Sequence, residues 1–364
     1  MELRTLAGPL SRGDRDAVRG LVGRATAADG VAPLDEAALL ALADEGPASP
    51  GGARHVLAFL GDGTDPRSDA GTSNGSGAGP GTGVHDGRGT GAGGGFHAAA
   101  GRVVGYAHVD RGGAVPTAQV VVDPLERRRG VGRALLEAAA AGGAHAPDVA
   151  PGPLEAWAHG NLPAARGLAA AAGFVPVHEL WRMAADLVRH APAEPAWPAG
   201  CAVRPFVPGR DEAAWLAVNA AAFADHAEQG RWTAHDLAAR EREPWFDPAG
   251  FLLAHAADGA LVGFVWTKVH PAGELADEQV GEVYVLGVAP TAQGAGLGRA
   301  LTAAGLAHLV GRGLRTAVLW VAGDNAAAIR TYRRAGFERA ALDVRYARRA
   351  GGGAMPPDGA TMGS

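Results

Sequence analysis

The 364-residue chain has a single cysteine, Cys201, so no internal disulfide can form. Cys201 stands where a second half of the chain begins and is expected to be a structural bystander. No apolar run is long enough to span a membrane, and nothing resembles a signal peptide. A cytoplasmic protein with no membrane partner is therefore expected. Basic charge is also scarce. Lys and Arg number 33 against 38 Asp and Glu, a net charge of −5, which speaks against a general nucleic-acid surface. The thirteen histidines are scattered and no Cys/His cluster has metal-ligand spacing, so no metal is expected. His226 and His270 are read as packing or hydrogen-bonding residues.

Phosphate-binding motifs of the commoner kinds are missing as well. No Lys-Ser/Thr follows a glycine cluster as in a P-loop, and no acidic residue stands at the dinucleotide-binding distance in a second βαβ unit. What is present is a third arrangement, between Gly281 and Phe337. Val285, Leu286 and Val288 form a short β-prone run that Pro290 closes. Gln293-Gly294-Ala295-Gly296-Leu297-Gly298-Arg299 then turns into an Ala/Leu-rich segment of helical spacing. Glycines at 294, 296 and 298 let backbone approach an anion, and the first helical N–H groups favour a bound phosphate. Asp324-Asn325, Tyr332 and Ala335-Gly336-Phe337 follow. A thioester-bearing nucleotide needs such parts: a strand edge for its pantetheine amides, bare N–H groups for its pyrophosphate, and an acid near its sulfur.

The motif occurs twice. Val120-Val121-Val122-Asp123-Pro124 and Arg127-Arg128-Arg129-Gly130-Val131-Gly132-Arg133 match Val288-Ala289-Pro290 onward without a gap. Gly160-Asn161 and Ala172-Gly173-Phe174 repeat the downstream element, one residue longer. A repeat of this period indicates duplicated domains, and 364 residues suit two cores. The basic run at 127–129, placed before Gly130, is expected to contact phosphate.

With these residues in hand, both halves resemble the GCN5-related N-acetyltransferase (GNAT) fold. Longer stretches are most similar to the mycothiol synthase family of tandem GNAT proteins: Phe223 to Thr233, Gly263 to His270, Gly281 to Val288 and Asp324 to Tyr332. The resemblance implies an α/β (α+β) fold of two tandem domains, each a mixed central sheet flanked by helices. It further implies an acetyl-CoA-dependent N-acetyltransferase acting on a small-molecule amine, cysteinyl-glucosaminyl-inositol, as a monomer. The residues implied for acetyl-CoA are Leu286, Gly287, Val288, Gln293 through Arg299, and Asn325, Ala326, Ala327, Ala328, Ile329 and Arg330. In the first half they are Val120, Val121, Val122, Arg128, Arg129, Gly130, Val131, Gly132 and Arg133. Glu36, Glu228, Lys268 and Glu282 match the acceptor positions, and Trp320 stands where the family pattern has tyrosine. An indole N–H donates but cannot accept. Two alternatives stay open: a tandem acetyltransferase for another amine, such as an aminoglycoside or a protein N-terminus, and a CoA-binding module without turnover.

The halves differ where chemistry would occur. Counting back from the shared proline, Glu282 falls on Pro116. Tyr332 falls on Leu168 or Ala169, according to the end from which one counts. The first half thus lacks both carboxylate and phenol while keeping its phosphate turn. Glu282 is expected to be the general base and Tyr332 the acid for the departing sulfur, with an oxyanion donor from a bulged strand around Gly287-Val288. Residues 1–188 are assigned to a non-catalytic first domain, 189–200 to a Pro-rich linker, 201–348 to the catalytic domain and 349–364 to a loose tail. A Gly/Ser-rich insertion at about 61–95 buries too little to order itself.

Overall fold

A computed structural model of the chain describes residues 1–43, 53–61, 101–141, 152–224 and 229–348. All but Gly61 of the Gly/Ser-rich insertion lies outside the described residues, as do His226, Glu228 and the tail.

Twelve strands form one mixed sheet in the order β1-β2-β3-β4-β5-β12-β6-β11-β10-β9-β8-β7. The first half supplies β1 (Glu2–Ala7), β2 (Arg54–Gly61), β3 (Gly101–Asp110), β4 (Thr117–Val122), β5 (Glu155–Ala158) and β6 (Phe174–Asp186). The second supplies β7 (Ala202–Pro205), β8 (Phe251–His255), β9 (Leu261–His270), β10 (Val280–Val288), β11 (Thr316–Ala322) and β12 (Glu338–Arg348). Read from either end the order is the same, with one exchange: β6 pairs with β11, and β12 pairs with β5. Each half thus completes its sheet with the last strand of the other, and β6 and β12 run antiparallel through the centre.

Local chemistry accounts for the helices. Helix α1 (Arg12–Asp29) opens with Ser11 accepting from the Asp14 N–H and stops at Gly30, whose φ of 67° is open to glycine. Its buried residues Val18, Leu21 and Ala25 recur at helical spacing. Asp35 caps the short α2 (Glu36–Ala43), accepting from the Ala38 N–H at 2.8 Å. In the first half α3 (Val131–Ala140) and α4 (Pro163–Ala171) follow the two phosphate-turn elements. Their counterparts in the second are α7 (Leu297–Gly311) and α8 (Ala326–Arg334), with α5 (Glu212–Ala222) and α6 (Ala234–Glu241) preceding them.

Packing beneath the sheet is aliphatic around Leu301, Leu306, Leu309 and Leu319, and aromatic where α5 crosses β8–β10. There Trp215, Phe251, Phe264 and Trp266 are fully buried, with Phe251 and Trp266 stacked at 4.4 Å. This aromatic block fixes the floor beneath Tyr284 and Lys268.

Candidate active site

Strand β10 is where the sheet opens. It pairs with parallel β11 at only two positions, Gly281 with Ala317 and Glu282 with Val318, while its pairing to β9 continues to Val288. Beyond Glu282 the two parallel strands part. The register against β9 shifts between Val283 and Val285, which makes Tyr284 the extra residue of a bulge. The bulge expected at Gly287-Val288 is therefore three residues earlier, since Leu286, Gly287 and Val288 keep regular partners on β9.

The edge facing the opening follows from strand alternation. Ala289 donates its N–H to the Val262 carbonyl on β9 at 2.9 Å, so the N–H groups of Val288 and Leu286 point the other way, into the gap. They offer a ladder for pantetheine amides. Gly287 answers a different need, because a Cβ there would come within 2.6 Å of the Phe264 ring.

The phosphate turn has the geometry its glycines suggested. Gly294 and Gly296 have φ of 83° and 87° with open space around them, so backbone conformation demands glycine at both. Gly296 precedes α7, and no side chain caps that helix. Gln293, Gly294, Ala295 and Arg299 are exposed. An uncapped helix N-terminus behind an exposed glycine turn fits a pyrophosphate. The other expected contacts differ in what they leave exposed. The side chains of Leu297 and Ile329 are 2% and 5% exposed and belong to the core, so only their backbone can touch a cofactor. The Asn325 side chain accepts from the Ala328 N–H and caps α8. Ala326 and Ala327 are exposed, Ala328 is half-buried and Arg330 is exposed on that helix.

The first half keeps the turn and alters its surroundings. Gly130 has φ of 84° ahead of the uncapped α3, and Asp123 donates to the Val104 carbonyl as Ala289 does to Val262. By the same alternation Val120 and Val122 face the opening. Val121 and Val131 are buried in the core, so their side chains are not cofactor contacts. The arginine run is largely committed within the protein: Arg127 grips Asp29 with two 2.7 Å bonds, and Arg129 holds Glu126 at 2.8 Å. Arg133 donates to the Ala171 carbonyl at 2.7 Å. Exposed Arg128, with φ of 65°, makes no ion pair among the described residues. The Leu168 side chain also presses on α3, where a Cβ on Gly132 would meet it at 3.0 Å.

Glu282 is 6% exposed at the parting of β10 and β11. It faces Lys268 across β9, and the Thr117 N-terminal to Gln119 faces Asp110 in the same place of the first half. The bulge thus makes Thr117, rather than Pro116, its counterpart; neither is an acid. Glu282 Oε2 lies 2.7 Å from His270 Nε2, and His270 Nδ1 lies 2.7 Å from Glu274 Oε1. Burial alone pushes the His270 imidazole down, but the bonds to Glu282 and Glu274 and the Glu282 charge hold it above 6.5 despite the Lys268 ammonium. The sequence reads His270 as a packing or hydrogen-bonding residue, but no local pattern names the two carboxylates it meets.

Glu36 crosses from the first half. Its Oε1 accepts from Lys268 Nζ at 2.6 Å, and its Oε2 accepts from the Tyr284 hydroxyl. Arg240 of α6 donates to that hydroxyl at 2.7 Å and stacks 3.8 Å over the Trp232 ring. Burial, then the Glu36 charge, pushes the Tyr284 phenol well above 10. Trp320, two residues beyond Val318 on β11, is half-buried on the sheet face that carries Glu282. Tyr332 is half-buried on α8 and packs edge-on against Phe337 at 6.0 Å. Burial pushes its hydroxyl up to about 12, so it stays a proton donor. Matching helix ends make Ala169 its counterpart, since Ala172 and Ala335 close equivalent turns on Ala169 and Tyr332. Among the described residues no group of three or more His, Cys, Asp or Glu is placed to hold a metal.

The profile described as "Acetyltransferase (GNAT) family" matches residues 219–337, and "Acetyltransferase (GNAT) domain" matches residues 92–176. The chain is similar to a mycothiol acetyltransferase of Cellulomonas flavigena, 58% identical over 69% of this chain and 73% of that one. To the mycothiol acetyltransferase of Thermobispora bispora it is 45% identical over 92% of this chain and 96% of that one. Among solved structures, the tandem GNAT protein of the clavulanic acid biosynthesis pathway superposes with a TM-score of 0.61, at 22% identity over 97% and 100% of the two chains. A GCN5-related N-acetyltransferase of Sphaerobacter thermophilus gives 0.57 at 24% identity over 94% and 95%; at such identities the likeness shows the fold alone. The chain therefore belongs to the mycothiol acetyltransferase family, acetyl-CoA-dependent N-acetyltransferases built from two GNAT domains.

Proposed function

We propose that the second half transfers acetyl from acetyl-CoA to the cysteinyl amine of cysteinyl-glucosaminyl-inositol, giving mycothiol and CoA. The observation that carries this reading is that Glu282 stands opposite Lys268 in the β9–β10 register, with Lys268 paired to Glu36 of the first half, at the mouth of the β10–β11 gap. A carboxylate, an ammonium and a phenol gathered in one place suit a ligand rich in hydroxyls with an amine at one end. An α-amino group titrates near 7.7–8.0, so the acceptor needs little help to lose its proton. Glu282 takes that proton, directly or through a water, as nitrogen attacks the thioester carbon. Of the two gap-facing N–H groups, Val288 and Leu286, one stabilises the oxyanion while the other holds a pantetheine amide. Tyr332 protonates the departing sulfur.

Glu282, Lys268, Glu36, Glu228 and Trp320 are accordingly proposed as acceptor residues, with the turn at 293–299 and the start of α8 for acetyl-CoA. Division of labour at a linker of 189–200, a silent first half, a monomeric state and work in the cytoplasm belong to the same reading. The purified protein, given acetyl-CoA, should acetylate the cysteinyl pseudodisaccharide on nitrogen, as read by mass spectrometry, and leave an aminoglycoside untouched. Acetylation of the aminoglycoside alone would reverse the assignment. Glu282→Ala should lower turnover by roughly 10²–10⁴ while acetyl-CoA affinity holds; wild-type rates would remove Glu282 from the mechanism.

A further inference from the structure

His270 sits between two carboxylates, Glu282 Oε2 and Glu274 Oε1, each 2.7 Å from one of its ring nitrogens. Ionised carboxylates only accept, and a neutral imidazole has one N–H. Two such bonds therefore need one proton beyond a neutral ring and two carboxylates. The triad holds an extra proton by hydrogen-bond accounting alone. Its ends differ in access: the Glu282 side chain is 8% exposed and that of Glu274 is 46% exposed. Glu274 stands in the turn after β9, beginning with Pro271, which Gly273 helps close at φ of 88°. Glu282 Oε1 carries no protein hydrogen bond among the described residues and is left for the amine. The other charges near the ring are Lys268 on its own strand and, through Lys268, Glu36 of α2.

We propose that His270 and Glu274 are positioning residues for the general base: they hold Glu282 by one oxygen and let the buried triad shed a proton to water as Glu282 takes one up. This deepens the proposed function and rests on Glu282 as the base. When nitrogen bonds the acetyl carbon, one proton passes from nitrogen to Glu282 Oε1, and the carbon–sulfur pair leaves on sulfur. The imidazole then releases its Nδ1 proton through Glu274 to solvent. The buried site carries the same net charge before and after, which avoids a charge change in a low-dielectric place. On product release Glu282 returns its proton to water and the ring regains one through Glu274.

The test compares kcat against pH for wild type, His270→Gln and Glu274→Gln, with the amine that wild type turns over, so a different acceptor would revise the function without touching the triad. His270→Gln should lower kcat about 10²-fold, and Glu274→Gln about 10-fold. Loss of the Glu274 charge should move the acid limb of kcat to lower pH by about 0.5–1 unit, with the KM for acetyl-CoA unchanged. By NMR, the ring resonance absent from His270→Gln should titrate at lower pH in Glu274→Gln than in wild type. Glu274 is a turn residue half in solvent, so that variant folds even where His270→Gln does not. A Glu274→Gln profile superimposable on the wild type's, with the His270 resonance unmoved, would overturn the proposal.

Discussion

Single side chains in this site are set by what their neighbours leave them. Tyr332 packs on Phe337, and burial holds its hydroxyl up to about 12. Tyr332→Phe keeps that packing and removes only the acid, so thermal stability should hold. Because a thiolate leaves tolerably without a proton, kcat should fall by no more than about 10²; steady-state kinetics with acetyl-CoA saturating would check it. Tyr332 was legible in the sequence because the two copies of the repeat differ there. His270 was not, because a lone histidine in a strand looks the same whether it meets aliphatic neighbours or two carboxylates.

At the scale of elements, the two phosphate turns share one backbone requirement and differ in what surrounds it. A valine at 296 must adopt a φ near 87°, which a β-branched residue resists. Gly296→Val should therefore raise the KM for acetyl-CoA at least about 10-fold, whereas Gly130→Val, strained in the same way at φ of 84°, should leave turnover near wild type. Loss of turnover in well-folded Gly130→Val protein would mean that the first copy takes part in catalysis. These turns could be read from the chain because positive φ, missing side chains and a following helix are all local. The bulge at Tyr284 could not be, since it is a mismatch between two strands and shifts the counterpart of Glu282 by one residue.

Among the described residues the halves are joined through exchanged strands at the centre of the sheet, through Glu36 at the site, and through Arg231, which reaches Asp110 at 3.4 Å. Glu36→Ala would leave Lys268, whose side chain is 9% exposed, without its 2.6 Å partner. Breaking a fully buried pair costs about 3–5 kcal/mol; Glu36 keeps 25% of its side chain in solvent, so about 2 kcal/mol is expected from denaturant unfolding. The KM for the amine should rise with acetyl-CoA binding unaffected.

The first half brings its own pH limit. His55 and His108 are 2% and 4% exposed, and His55 Nδ1 lies 2.6 Å from the Tyr106 hydroxyl. Burial, then the neighbouring His108, lowers His55 from 6.5 to about 4. Burial also lowers His108, against the opposing charges of Asp35 and Asp110. The unfolded chain takes up protons near pH 6.5 while the folded chain does not, so stability falls as pH drops from 6.5 toward 4. His55→Gln should flatten that slope in thermal melts across the same window.

Sequence alone determined that there are two copies, that each ends a strand in a glycine turn before a helix, and that only the later copy keeps an acid and a phenol. Those properties live in short segments, where backbone sterics and side-chain chemistry act over a few residues. Tertiary structure decided the rest: which strand completes which sheet, where β10 slips its register, and that Glu36 lies against Lys268, 232 residues away. Contacts of that kind depend on how the whole sheet twists and closes, and no local pattern in the chain encodes them.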